Sequence, residues 1–149
     1  MARFQFRLKA LLAVRKATRD ERRVELAEAQ SESGTLNERR AGVERELAKQ
    51  QDLFRSGTSP GRLDVDRLKT AHGYELVLRR ELRVLSEHEQ TLTAEIERRR
   101  EALVAADREV RILEKLRERQ HEQFRQQQMV RETKHLDEVA ALVTRNDEP

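Results

Sequence analysis

Two runs of seam positions, each spaced alternately four and three residues apart, constrain this chain more than anything else in it. The first holds Leu8, Leu12, Arg15, Arg19, Arg22, Leu26, Ala29, Ser33, Leu36, Arg40, Val43, Leu47, Gln50 and Phe54. The second holds Leu78, Leu82, Leu85, Glu89, Leu92, Ile96, Arg99, Leu103, Ala106, Val110, Leu113, Arg117, Gln120 and Phe124. Eight of the first fourteen and ten of the second fourteen are apolar, so the second helix is the stronger. A repeat of 3.5 residues keeps one face of a helix on a partner and imposes a left-handed supercoil. Between the runs stands Ser56-Gly57-Thr58-Ser59-Pro60-Gly61, where Gly57 suits a C-terminal cap and Pro60 cannot continue a helix. Asp64 and Asp66 suit the first turn of a following helix, at the positive end of its dipole. The expected fold is all-α: one domain over 1–149, a long two-helix antiparallel coiled-coil hairpin. Helix one spans about 3–55, the loop about 56–64 and helix two about 65–143.

Composition supports a narrow seam over a rounded core. Of 149 residues 40% are charged and 3% aromatic, with no Trp. Disorder is the competing reading of so polar a chain, and unbroken heptads argue against it. There is no cysteine, which excludes disulfides and thiolate metal sites and fits a reducing compartment. No apolar run approaches the roughly 20 residues of a membrane span, and charges interrupt the N-terminus where a secretory signal would be apolar. A cytoplasmic protein is expected, monomeric in isolation.

Folding near residue 60 places Phe4 opposite roughly residue 116, on helices of about 75 Å at 1.5 Å per residue. Helix two then overhangs from about 117. Met129, Leu136 and Val143 keep a seven-residue spacing there but lie off the seam ending at Phe124. They are either drift of a straight helix or a second apolar stripe for another protein. Residues 1–24 carry eight basic side chains against Asp20 and Glu21, a balance of +6. Phe4, Phe6, Leu11 and Val14 lie off the seam in a helical reading. This amphipathic, positive tip fits a membrane, a groove or a protein socket, or else wraps helix two.

At the start of helix two, Tyr74, Leu76 and Val77 fall outside the seam just past Gly73. They form a docking group, or they cover the loop if helix two starts late. Chemistry is sparse. His72, His88, His121 and His135 lie too far apart along a hairpin to converge on a metal, and no residue is assigned a catalytic or cofactor role. Gly57-Thr58-Ser59-Pro60-Gly61-Arg62 lacks the spacing of a phosphate loop. Arg39-Arg40, Arg79-Arg80 and Arg98-Arg99-Arg100 stand among glutamates, which fits i,i+4 ion pairs better than a nucleic-acid track. No nucleic-acid partner is expected.

Three stretches in order resemble the FliJ family of flagellar export proteins. Phe4-Gln5-Phe6-Arg7-Leu8-Lys9-Ala10-Leu11-Leu12-Ala13-Val14-Arg15 looks like its F-x-F-R-L-x-x-L-L-x-x-R opening. Leu113-Glu114-Lys115-Leu116 looks like its LEKL segment, and Glu132-Thr133-Lys134-His135-Leu136-Asp137-Glu138-Val139-Ala140 its E-x-K-x-LDE-x-A close. The resemblance implies a fold like the coiled coil of the rotary ATPase gamma subunit. It implies a non-enzymatic central stalk and adaptor of the hexameric flagellar export ATPase, serving motility. The implied partners are that ATPase, the cytoplasmic domain of the export gate FlhA, and export chaperones. The implied place is cytoplasmic, peripheral to the inner membrane at the flagellar base. The family's gate-binding pair matches Tyr74 and Leu78, with Tyr74 where the family has Phe. Leu76, Val77 and Phe54 stand near it as further gate contacts. Ring contacts are expected from Arg3, Phe4, Phe6, Lys9, Leu11, Arg15, Met129 and Leu136. A virulence type III secretion stalk and a general coiled-coil scaffold are the alternatives.

Overall fold

A computed structural model describes residues 3–57 and 64–146 of the chain. Two helices make up almost all of it, α1 over Lys9–Gly57 and α2 over Val65–Asn146, packed against each other as an all-α helical hairpin. No strand occurs among the described residues. The expected Pro60-Gly61 turn falls within 58–63, outside the described residues, but both of its edges are visible. Gly57 closes α1, and Asp64 caps α2 by accepting hydrogen bonds from the Asp66 and Arg67 amides at 3.2 and 3.3 Å. Such a cap satisfies donors that the first turn leaves unpaired. No helix among the described residues is long and apolar enough to cross a membrane.

The seam is where the heptads put it. Every buried described residue occupies a seam position: Leu12, Ala29, Leu36, Val43, Leu78, Leu92 and Val110. Two seam positions depart. Phe54 is 49% exposed. Near the end of the second run, Arg117 is exposed while Leu116 takes its place as the half-buried residue. A straight helix drifts about 20° per heptad against a 3.5 repeat, and the drift here favours the apolar neighbour.

Contacts group the chain into two compact units, residues 21–103 and residues 1–20 with 104–149. In the first, partners run in opposite directions along α1 and α2. Arg39 pairs with Glu81, Arg40 with Glu89, Glu32 with His88, and the Arg99 guanidinium donates to the Glu25 carbonyl at 2.6 Å. Ala29, Leu36 and Leu92 form its core, with Leu85 and Ile96 packed against them. The ion pairs are half exposed and worth little singly; they help to specify register. Arg40, Glu89 and Arg99 in the seam therefore have partners, and no buried side-chain polar atom among the described residues lacks one.

In the second unit Arg15 meets Glu109 at 2.7 Å, Lys16 meets Glu114 at 3.1 Å, and Phe4 packs on His121 and Phe124. Phe4 thus lies several residues beyond the expected position 116. Seam cover on α2 continues to Gln128 instead of ending at about 117. The cause is a second correction. Helix one was expected from about Arg3, yet residues 3–8 precede α1, whose first residue is Lys9. Along these residues exposure alternates: Arg3, Gln5 and Arg7 are exposed while Phe4, Phe6 and Leu8 are half buried. Alternation with period two belongs to extended chain, which gains more length per residue than helix. Residues 3–6, ahead of the turn at Arg7 and Leu8, therefore reach further along α2 than they would in a helix.

Truncation separates seam from surface. Leu92, 6% exposed in the core cluster, is expected to lose about 2–4 kcal/mol of stability on change to Ala, within the usual range for buried leucines. Leu76, 54% exposed, is expected to lose no more than about 0.5 kcal/mol. Urea denaturation of the two variants checks this; similar losses at both would show that the seam is misregistered.

Candidate partner-binding surfaces

In the unit 21–103, α2 runs unbroken through Gly73, so Tyr74 does not mark a late helix start. Tyr74 is 42% exposed, and Leu76 and Val77 are more so. They do not form one group. At 100° per residue, Tyr74 and Val77 are neighbours on one flank, whereas Leu76 lies about 160° around the helix from Tyr74 and about 100° from Val77. Val84 falls one heptad after Val77 and extends the Tyr74 flank; it is 58% exposed. Sequence reasoning passed over Val84, although its seven-residue spacing signalled it. Leu78, the other half of the expected pair, is buried in the seam. It can support Tyr74 from beneath but offers no surface of its own.

Phe54 stands apart from that flank. It lines two adjoining hollows, of about 410 and 250 Å³, which also share Gln50 and Ala71. Their cause is local. The α2 seam extends back through Glu75, Ala71 and Leu68, and facing it α1 offers Gln50 and Phe54. A small residue and an amide leave space where two leucines would close it. The structure therefore separates the expected gate residues into a Tyr74–Val77 flank, a seam residue, a residue on the far flank, and an aromatic beside a gap.

In the unit of residues 1–20 and 104–149, the arm sets the geometry. The Phe4 ring sits 5.0 Å from the His121 ring, edge to face at 80°, and 5.7 Å from Phe124. Phe4 and Phe6 are thus half covered by their own chain, not displayed to a partner. Arg15 is engaged with Glu109. Arg3, Lys9 and Leu11 are exposed, with Arg7 beside them. Further along α2, every described side chain from Met129 to Val143 is exposed. Met129, Leu136, Val139 and Val143 fall within about 80° of one another on the helix. They form one apolar stripe without cover from the described residues.

The basic runs are engaged elsewhere. Arg98 and Arg99 both meet Glu95, and Arg100 meets Glu97. The hydrogen bond from Arg99, aided by the charges of Arg98 and Arg99, holds Glu95 below the usual carboxylate range. Glu44 hydrogen-bonds Arg40, and together with Glu89 raises its already high pKa. Glu25 does the same for Arg22. Guanidinium groups tied to carboxylates in this way offer no continuous track for a polyanion.

Comparison with known proteins gives one finding. Residues 4–148 match the family model described as "FliJ: Flagellar FliJ protein". No match is found among curated proteins or among solved structures.

Proposed function

The chain belongs to the flagellar FliJ family, a non-catalytic component of the type III protein export apparatus, and from that premise we propose that it is the stalk and adaptor of the export ATPase. In this reading it links the hexameric ATPase to the cytoplasmic domain of the export gate FlhA and aids the cycling of export chaperones. It works at the cytoplasmic face of the flagellar base, held at the membrane through the apparatus.

One observation carries the reading. The last turns of α2 expose Met129, Leu136, Val139 and Val143 on one face, beyond the reach of α1 and the arm. An amphipathic helix that lacks an internal partner for its apolar face is suited to lie in a groove of another protein. Arg3, Arg7 and Lys9 in the same unit add positive charge that would favour an acidic rim. The Tyr74–Val77 flank, in the other unit, is a second surface and is assigned to the gate. Arg15 from α1 and Phe6 from the arm support the first surface from beneath. The direct test is turnover of the purified export ATPase with and without the chain. Stimulation that saturates with added chain is expected; turnover unaffected at any concentration would remove the ATPase as partner.

A further inference from the structure

We infer that residues 3–8 form a displaceable strap that competes with the partner of the α2 stripe, an inference resting on the ATPase reading above. Three features of the arm point to this. It is held by side chains alone: among the described residues, no hydrogen bond or ion pair joins residues 3–8 to α2. Its described backbone bonds, from the Lys9 amide to the Phe6 carbonyl at 3.2 Å and from the Leu12 amide to the Leu8 carbonyl at 2.9 Å, lead into α1 and not to α2. An open hollow of about 420 Å³ lies beside the Phe4 ring, lined in part by Gln120, Gln123 and Gln127. The ring is therefore seated but not enclosed. Segments with few contacts and no backbone ladder open at low free-energy cost.

The strap also sits where it would interfere. His121 and Val139 are 18 residues apart, five whole turns at 3.6 residues per turn, so they share one azimuth on α2. Phe124 and Val139 differ by about 60°. The footprint of Phe4 thus leads directly into the exposed stripe. A partner groove that follows the stripe toward the N-terminus of α2 meets Phe4 before it can reach Phe124. Lifting the arm extends the apolar face by Phe124 and frees Arg3 and Arg7 for the partner's rim. Closed, the strap shields an aromatic that would otherwise be exposed on the free protein.

The chain has no Trp and no Cys, which allows a clean test. Phe124→Trp in the full-length chain provides a single tryptophan beneath the strap, excited selectively over Tyr74. Adding Phe4→Ala is expected to increase its acrylamide quenching; unchanged quenching would show that Phe4 does not cover this site. Phe4→Ala alone is expected to raise affinity for the purified export ATPase about two- to tenfold, the weight of one aromatic pair. A second variant, Gln5→Cys with Gln123→Cys, closes the strap through a cleavable bis-maleimide. Affinity is expected to fall on cross-linking and to recover on cleavage. Lower or unchanged affinity in Phe4→Ala, or a tether without effect, would overturn the strap. Failure of the unmodified chain to bind the ATPase at all would instead overturn the partner assignment. The quenching result would then still decide whether the strap covers Phe124.

Discussion

Removal of residues 129–149 is expected to abolish stimulation of the export ATPase while leaving the helical pair folded. Cover on α2 ends at Gln128, and each described side chain from Met129 to Val143 is exposed, so the deletion takes away no seam contact among them. It leaves Phe124 in place for Phe4. Fully covering one large apolar side chain is worth about 1.5–3 kcal/mol, and the stripe offers four. Association itself costs at least about 4 kcal/mol, so losing the stripe removes most of the surplus that binding requires. The melting temperature, followed by circular dichroism, is expected to stay close to that of the full chain. Stimulation that persists in the shortened protein would take this segment out of the interface.

Tyr74→Ala is expected to weaken binding to the FlhA cytoplasmic domain about thirtyfold, which corresponds to about 2 kcal/mol at 1.4 kcal/mol per decade. Tyr74 is an exposed aromatic with Val77 and Val84 along its flank and the buried Leu78 beneath that stretch of helix. An aromatic anchor of this kind commonly carries a large share of a small interface. Because its side chain is outside the seam, little stability is at stake. Leu76→Ala serves as the control: Leu76 is apolar, exposed and close in sequence, but it lies about 160° around the helix from Tyr74. Titration of labelled gate domain with each variant measures both. A weakening at Leu76 equal to that at Tyr74 would show that the gate does not read this flank.

Much of the fold was legible because one physical signal dominates it. A 3.5-residue repeat specifies which side chains meet, and the seven buried residues among those described all lie on it. The arginines within the seam fit the same logic, since Arg40 and Arg99 reach Glu89 and the Glu25 carbonyl across it. The misreading at the N-terminus came from extending that period too far. Phe4, Phe6 and Leu8 alternate with Arg and Gln, a two-residue pattern that a helical wheel scatters over several faces. Read as extended chain it gives one apolar edge, and with it the longer reach of the arm. Tyr74, Leu76 and Val77 were grouped by nearness in sequence, but at 100° per residue consecutive positions diverge. The gap at Phe54 depends on how Gln50 and Ala71 face each other, and that requires the register between helices. Partners are harder still. A heptad describes what a helix does with its own chain; the stripe and the flank are left exposed by it, while the family supplies the apparatus.

The central claim is that one chain presents two separate surfaces to two partners. Its most direct test is the affinity of a single purified variant, Tyr74→Ala, for the gate domain and for the export ATPase, measured side by side. The account predicts an about thirtyfold loss toward the gate and an unchanged affinity for the ATPase. Parallel losses toward both partners would contradict it, because a single shared surface or a general loss of structure would then explain the result.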